Sequence, residues 1–370
     1  MEMTAQKYFD ESIQASKEAY NSLIKLLKER GIDTLVLFRE ENIRYVSGLQ
    51  LIISIRATSD SYAAIVDDSG VKVLTGEDEY RRLRDYGSWA EVERYGSEGL
   101  LGKIKQVLGN KKEIGFEDAT ILNYLYQALS LSYNMKPASD IILQARGKKN
   151  RYEKDLIIRA AEILTHAVSE VPRLYRKGMT EGGLLGELEK LMREEGAEGF
   201  GTWGLLTSSD GLKYVHYFPK NREVKGMLNV NISVNFYGYY ADIARVFTTE
   251  KLDREKKEKY DAFIEINRKL IDVLRPGKNI PSIANDVAEE YRTRLNAQLT
   301  HALGRGVGLE LVEPPFIVPG YSQAIQADQA ISTNPWVSLG DYSYKLVDTV
   351  LVEEDGPHLY TIASYDLIEL

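Results

Sequence analysis

A chain of 370 residues, 44 % hydrophobic and 28 % charged, has the composition of an ordinary soluble globular protein, and its length points to two cores rather than one. A formal charge of −8 without a concentrated basic stripe argues against nucleic-acid binding through phosphates, and the absence of cysteine excludes disulfides and thiolate chemistry. No run of eighteen apolar residues occurs and "MEMTAQKYFDES" has no signal-peptide core, so no membrane span and a cytoplasmic location are expected.

Taken in chain order, Ile13, Leu23, Leu26 and Leu27 form an apolar stripe that predicts a helix over 6–30. Strand-like runs follow at 34–38 (TLVLF), 62–66 (YAAIV), 71–75 (VKVLT) and 113–117 (EIGFE), with helical stretches between them, the pattern of a small α/β domain. Near residue 148 the pattern changes to a long amphipathic helix, "GKKNRYEKDLIIRAAEILTHAVSEV", expected to link two domains, 1–147 and 148–370. Thr180 then caps a helix that Gly196 ends. From residue 200 onward β-like runs are interrupted by helices at 253–274 and 282–296, so the second domain is expected to be α+β with a largely antiparallel sheet. "KDLIIRAAEI" and "KLDREKKEKY" alternate charge sign at helical spacing and read as solvated faces.

Residues 228–247, "LNVNISVNFYGYYADIARVF", predict a hairpin. Leu228, Val230, Ile232, Val234 and Phe236 alternate with Asn229, Asn231, Ser233 and Asn235, and Gly238 sits in the turn. Side chains of like parity project together, so Asn231 and Asp242 can converge on one site; a polar face that simply meets water is the other reading.

At this point the chain resembles the creatinase/aminopeptidase family of metallopeptidases, which includes Xaa-Pro dipeptidase, aminopeptidase P and methionine aminopeptidase. "RGIDTLVLFREENIRYVSGLQ" (30–50), "IGFE" (114–117), Glu153 on the linking helix, "KGMTE" (177–181), "VHYFP" (215–219), "GYYADIARVF" (238–247), "GRGVGLELVEPP" (304–315) and "VDTVLVEEDG" (347–356) carry the resemblance in the family's order. It implies an α+β chain: a creatinase-like N-terminal α/β domain, then a pita-bread C-terminal domain. It also implies a homodimer.

The family holds two manganese, cobalt or zinc ions on two aspartates, one histidine and two glutamates, where the metal pair activates a bridging water and polarises the scissile carbonyl. Carried across, those positions fall on Asn231, Asp242, Arg305, Asn334 and Val347; only Asp242 is kept. Asparagine is a weak neutral ligand, valine has no lone pair, and arginine keeps its charge. At about 4 Å and an effective dielectric near 20, a guanidinium repels a unit charge by about 4 kcal/mol and a dication by about twice that. No metal cofactor is therefore expected. Arg305 is expected instead to enter the metal space and pair with Asp242.

The resemblance also places His216 at the pocket entrance and keeps Glu313, while Val312 replaces a second histidine. His301 opens the glycine loop; His166 and His358 read as incidental. No GxSxG elbow is present, and "GRGVG" lacks the spacing and the lysine of a phosphate loop.

Three readings stay open. One is a homologue inactive as a metallopeptidase that binds a peptide, a small carboxylate or a partner protein. Another is a metal-independent C–N hydrolase of creatinase type that uses His216 with Glu313 or Asp242. The third is a residual metal-dependent Xaa-Pro peptidase.

Overall fold

The computed structural model describes residues 2–51, 61–201 and 204–370. The chain divides into two compact units, Met1–Arg146 with Asn150–Glu153, and Gly147–Lys149 with Lys154–Leu370.

In the first unit a helix, Glu2–Glu29, precedes a six-stranded sheet. Its strands are β1 (Thr34–Leu37), β2 (Tyr62–Asp67), β3 (Gly70–Thr75), β4 (Glu91–Arg94), β5 (Glu113–Phe116) and β6 (Asn134–Pro137), in the order β4-β3-β2-β1-β5-β6. Val36, Ile65, Leu74, Ile104, Ile114, Leu125 and Leu129 fill the core on one side of it. The four expected runs are β1, β2, β3 and β5. β4 and β6 escaped the sequence reading because they are the two edges, half-buried and without an apolar pattern. The "IGFE" motif ends in Glu117, which is 1 % exposed and accepts from the backbone N–H groups of Phe38 and Arg39 and from the Asn42 amide. That glutamate organises the entry to the helix Glu40–Ser47, so its role here is structural.

The helix expected to link the domains spans Arg151–Ser169, its first three residues in the first unit and the rest in the second, and it is shorter than its amphipathic pattern because the Asn150 side chain caps its first turn. Thr180 Oγ1 accepts from Gly183 N and starts the helix Glu181–Glu194; Gly196, at φ +101°, stands just past its end. Asp253 and Asn279 cap the helices Arg254–Asp272 and Ile280–Leu295, and the Asn279 cap sets the second start two residues before the expected one.

The strands here are β7 (Gly199–Phe200), β8 (Leu205–Ser208), β9 (Met227–Phe236), β10 (Tyr239–Thr248), β11 (Gly304–Gly306), β12 (Glu313–Phe316), β13 (Gln329–Thr333), β14 (Trp336–Ser338), β15 (Ser343–Lys345), β16 (Asp348–Glu353), β17 (Gly356–Leu359) and β18 (Ile368–Glu369). One sheet runs β18-β10-β9-β7 with β8 also on β9, a second runs β12-β11-β13-β16-β17, and β14 pairs with β15. Every pairing is antiparallel except that of β10 with β18. The β9–β10 hairpin turns through Tyr237 and Gly238, both at positive φ (46° and 85°), the twist a two-residue hairpin needs. A backbone pair between Ala244 and Val347 stitches the two larger sheets together. Tyr260, Phe263, Ile266, Leu270 and Tyr291 of the two long helices pack into the core of this unit.

Among the described residues no helix is long and apolar enough to cross a membrane.

Candidate functional site

The second unit holds a cavity of about 250 Å³ whose floor is the polar face of the β9–β10 hairpin. That face does not meet bulk water. Asn229, Asn231, Ser233 and Asp242 are each 9 % exposed or less. Asp242 lies opposite Ser233 and Asn231 opposite Ala244, so the period-two pattern brings Asn231, Ser233 and Asp242 to one surface. Arg245, of opposite parity, points the other way. Its guanidinium donates to Asp348 Oδ1 at 2.7 Å and to the carbonyls of Ala244, Val347, Thr361 and Ala363. The two charged ends of "DIAR" thus have separate tasks: Asp242 faces the cavity and Arg245 pins the C-terminal segment.

The glycines of "GRGVG" act through close backbone approach. A Cβ on Gly304 would lie 2.8 Å from the Ser332 carbonyl oxygen, and one on Gly306 would lie 2.2 Å from that of Pro314. Arg305, between them, projects from the other face of β11 into the cavity. Arg305 Nη2 donates to Asp242 Oδ2 at 2.8 Å, with the two side chains 13 % and 3 % exposed. The remaining Arg305 Nη1 and Asp242 Oδ1 are buried and have no hydrogen-bond partner among the described residues.

The other residues singled out in the sequence divide into two groups. Asn231, Asn334 and His216 line the same cavity. Asn231 Nδ2 donates to the Ile243 carbonyl at 3.3 Å, and the Asn334 amide nitrogen meets His301 Nε2 at 2.9 Å. Val347 and Glu313 are not among the lining residues. Val347 is fully buried and spends its backbone on Ala244. Glu313 accepts from Lys149 Nζ at 3.0 Å, with both side chains 3 % exposed. His216 has no hydrogen-bonded carboxylate among the described residues; its ring meets that of His301 edge-on, with centroids 5.5 Å apart.

Lys345 lines the cavity and escaped the sequence reading. It is 4 % exposed, and its only hydrogen bond among the described residues is a 3.5 Å contact to the Val215 carbonyl. Its one signal was its place two residues before Val347, just ahead of the segment 347–356 that carries the resemblance. Burial, together with the Arg305 guanidinium, lowers the Lys345 ammonium to about 7, partly opposed by Asp242. Burial first, then Lys345, His216 and Arg305, lower His301 to about 4. Burial followed by the same two cations also lowers His216. Lys345, His301 and His216 are thus all shifted toward their neutral forms, by burial first and by neighbouring positive charge second.

Two family models match. The model described as metallopeptidase family M24 covers residues 155–354, and that of the creatinase/prolidase N-terminal domain covers residues 20–147. The chain belongs to metallopeptidase family M24. An Xaa-Pro dipeptidase of Pyrococcus furiosus is 23 % identical to this M24 chain over 360 residues, 95 % of this chain and 100 % of that protein. Among solved structures, an X-Pro aminopeptidase of Thermotoga maritima MSB8 superposes with a TM-score of 0.85 at 22 % identity, covering 95 % of this chain and 99 % of that one. A prolidase of Pyrococcus horikoshii OT3 gives 0.83 at 20 % identity, covering 95 % and 100 %. The fold is therefore a creatinase-like N-terminal domain followed by a pita-bread domain.

The donor set of this M24 chain does not fit a pair of dications. Of the five positions that the resemblance assigns to metal, one presents a carboxylate, and that carboxylate already holds a guanidinium. Among the described residues no group of three or more His, Cys, Asp or Glu side chains is placed to hold a metal ion. Hard divalent ions need several anionic oxygens. The cavity supplies two cationic side chains and neutral amides beside its one carboxylate.

Proposed function

We propose that this M24-family chain binds a peptide or a small carboxylate in the β9–β10 cavity and does not hydrolyse Xaa-Pro bonds by the two-metal route. The observation that carries this reading is the Arg305–Asp242 pair, which brings a permanent cation to the one retained ligand position. A metal would have to displace a charge-assisted hydrogen bond and then sit beside the displaced guanidinium.

The rim supports the binding half of the reading. Tyr214 and Phe218 flank His216 in sequence, Val312 lines the cavity, and the three are 59 %, 50 % and 52 % exposed. Val312, an exposed apolar side chain in the cavity lining, suits contact with a second molecule.

The test is hydrolysis of an Xaa-Pro dipeptide with and without added Mn²⁺ or Co²⁺, by the unaltered chain and by Arg305→His. No turnover is expected in any arm, because one restored ligand leaves three positions without a carboxylate. Turnover by the unaltered chain that rises with metal overturns the reading.

A further inference from the structure

We propose that the ligand of this cavity is anchored by a carboxylate held between Arg305 Nη1 and Lys345 Nζ, with a branched or aromatic apolar group lying against Leu311, Val312 and Phe316. This rests on the binding reading above and names its chemistry.

Three observations converge on it. The first is an orphan donor: Arg305 uses Nη2 on Asp242, and its buried Nη1 has no hydrogen-bond partner among the described residues. A buried unsatisfied guanidinium N–H is costly, and an acceptor entering the cavity would recover that cost. The second is Lys345, buried, aimed into the same cavity, and without a carboxylate of its own among the described residues. With Lys345 protonated, two cationic side chains share the single negative charge of Asp242 in the cavity lining, and one entering carboxylate balances the set and favours that protonated form. The third is shape. Leu311, Val312 and Phe316 add an apolar wall, and a cavity of about 250 Å³ has room for a single residue-sized group. Asp242 Oδ1 is the opposing feature, a buried anionic oxygen in the same cavity. Its partner Oδ2 is already neutralised by Arg305, so the entering carboxylate belongs on the Lys345 side of the guanidinium.

A free organic acid and the C-terminus of a peptide both present this chemistry. The probes are 4-methylpentanoate, its uncharged amide 4-methylpentanamide, acetyl-glycyl-leucine and acetyl-glycyl-leucinamide, each titrated calorimetrically into the full chain. Binding of the acids at least about tenfold tighter than of the matching amides is expected, the weight of one charge-assisted contact. Preference for 4-methylpentanoate over acetyl-glycyl-leucine assigns a free acid, and the reverse assigns a chain end; either supports the anchor. Lys345→Met is expected to weaken acid binding by about tenfold and leave amide binding unchanged. Arg305→Met should do the same where it folds, and Lys345→Met, which removes a buried charge, keeps the test open where it does not. Equal affinity for acids and amides, or a Lys345→Met chain that binds 4-methylpentanoate and acetyl-glycyl-leucine as tightly as before, overturns the carboxylate anchor and leaves the broader binding reading standing. Metal-dependent dipeptide hydrolysis, by contrast, overturns that broader reading.

Discussion

Arg305 and Asp242 lie 63 residues apart in sequence and share a 2.8 Å hydrogen bond between β11 and β10, yet each keeps one buried polar atom without a partner among the described residues. The pair is nearly buried. A buried ion pair adds little net stability over an apolar substitute, while breaking it by removing one partner leaves an uncompensated charge. Arg305→Met is therefore expected to lower the unfolding free energy by about 3–5 kcal/mol, and Arg305→Met with Asp242→Leu by clearly less. A double-mutant cycle in urea measures the coupling, and additive single effects would show that the two side chains do not interact in solution.

Lys345 makes stability depend on pH in a direction set by its lowered value. Folded, it releases its proton near pH 7; unfolded, near 10.5. Between those values the unfolded chain binds more protons, so stability rises with pH across that window, and the full penalty of burying an ammonium is felt below it. Lys345→Met is expected to stabilise the protein by roughly 2–4 kcal/mol at pH 6 and by progressively less toward pH 10. Thermal unfolding of both chains at pH 6, 8 and 9.5 checks the trend; a gain independent of pH would mean that Lys345 is neutral, or solvated, throughout.

His301 acts over a separate window. It titrates near 4 in the fold against about 6.5 when unperturbed, so the stability it contributes is present above pH 6.5 and is lost as pH falls toward 4. His301→Gln should flatten that part of the acid-unfolding profile. An unchanged profile would count against the burial and the neighbouring cations as causes of the shift.

Away from the cavity lining, Lys149 and Glu313 form a pair at 3.0 Å with both side chains 3 % exposed. Lys149→Met should cost about 3–5 kcal/mol, because it removes the ammonium that balances the buried Glu313 carboxylate. Because Glu313 does not line the cavity, Glu313→Gln should leave ligand affinity within about twofold, close to the scatter of neutral changes. A large loss of affinity with intact folding would move Glu313 into the site.

Addition of Mn²⁺ or Co²⁺ should leave the melting temperature unchanged in the unaltered chain, since a ligand stabilises only the state that binds it. A rise that grows with metal concentration would reveal a site that the donor set does not suggest.

Much of this protein was legible in its order of residues. Alternation in "LNVNISVNF", the glycine turn, the cap at Thr180 and the chain of short motifs are local signals, written within a few residues of one another, and local geometry obeys them. Once the resemblance had assigned the metal positions to Asn231, Arg305, Asn334 and Val347, their lack of a carboxylate could be read from residue type alone. What tertiary structure decided is which of those positions still share a space. Glu313 turned to Lys149, Val347 sank into a backbone bridge, and Lys345, which carries no pattern of its own, arrived in the cavity from β15. Charge balance in a cavity depends on distances between strands far apart in sequence, and those distances exist only once both sheets have packed.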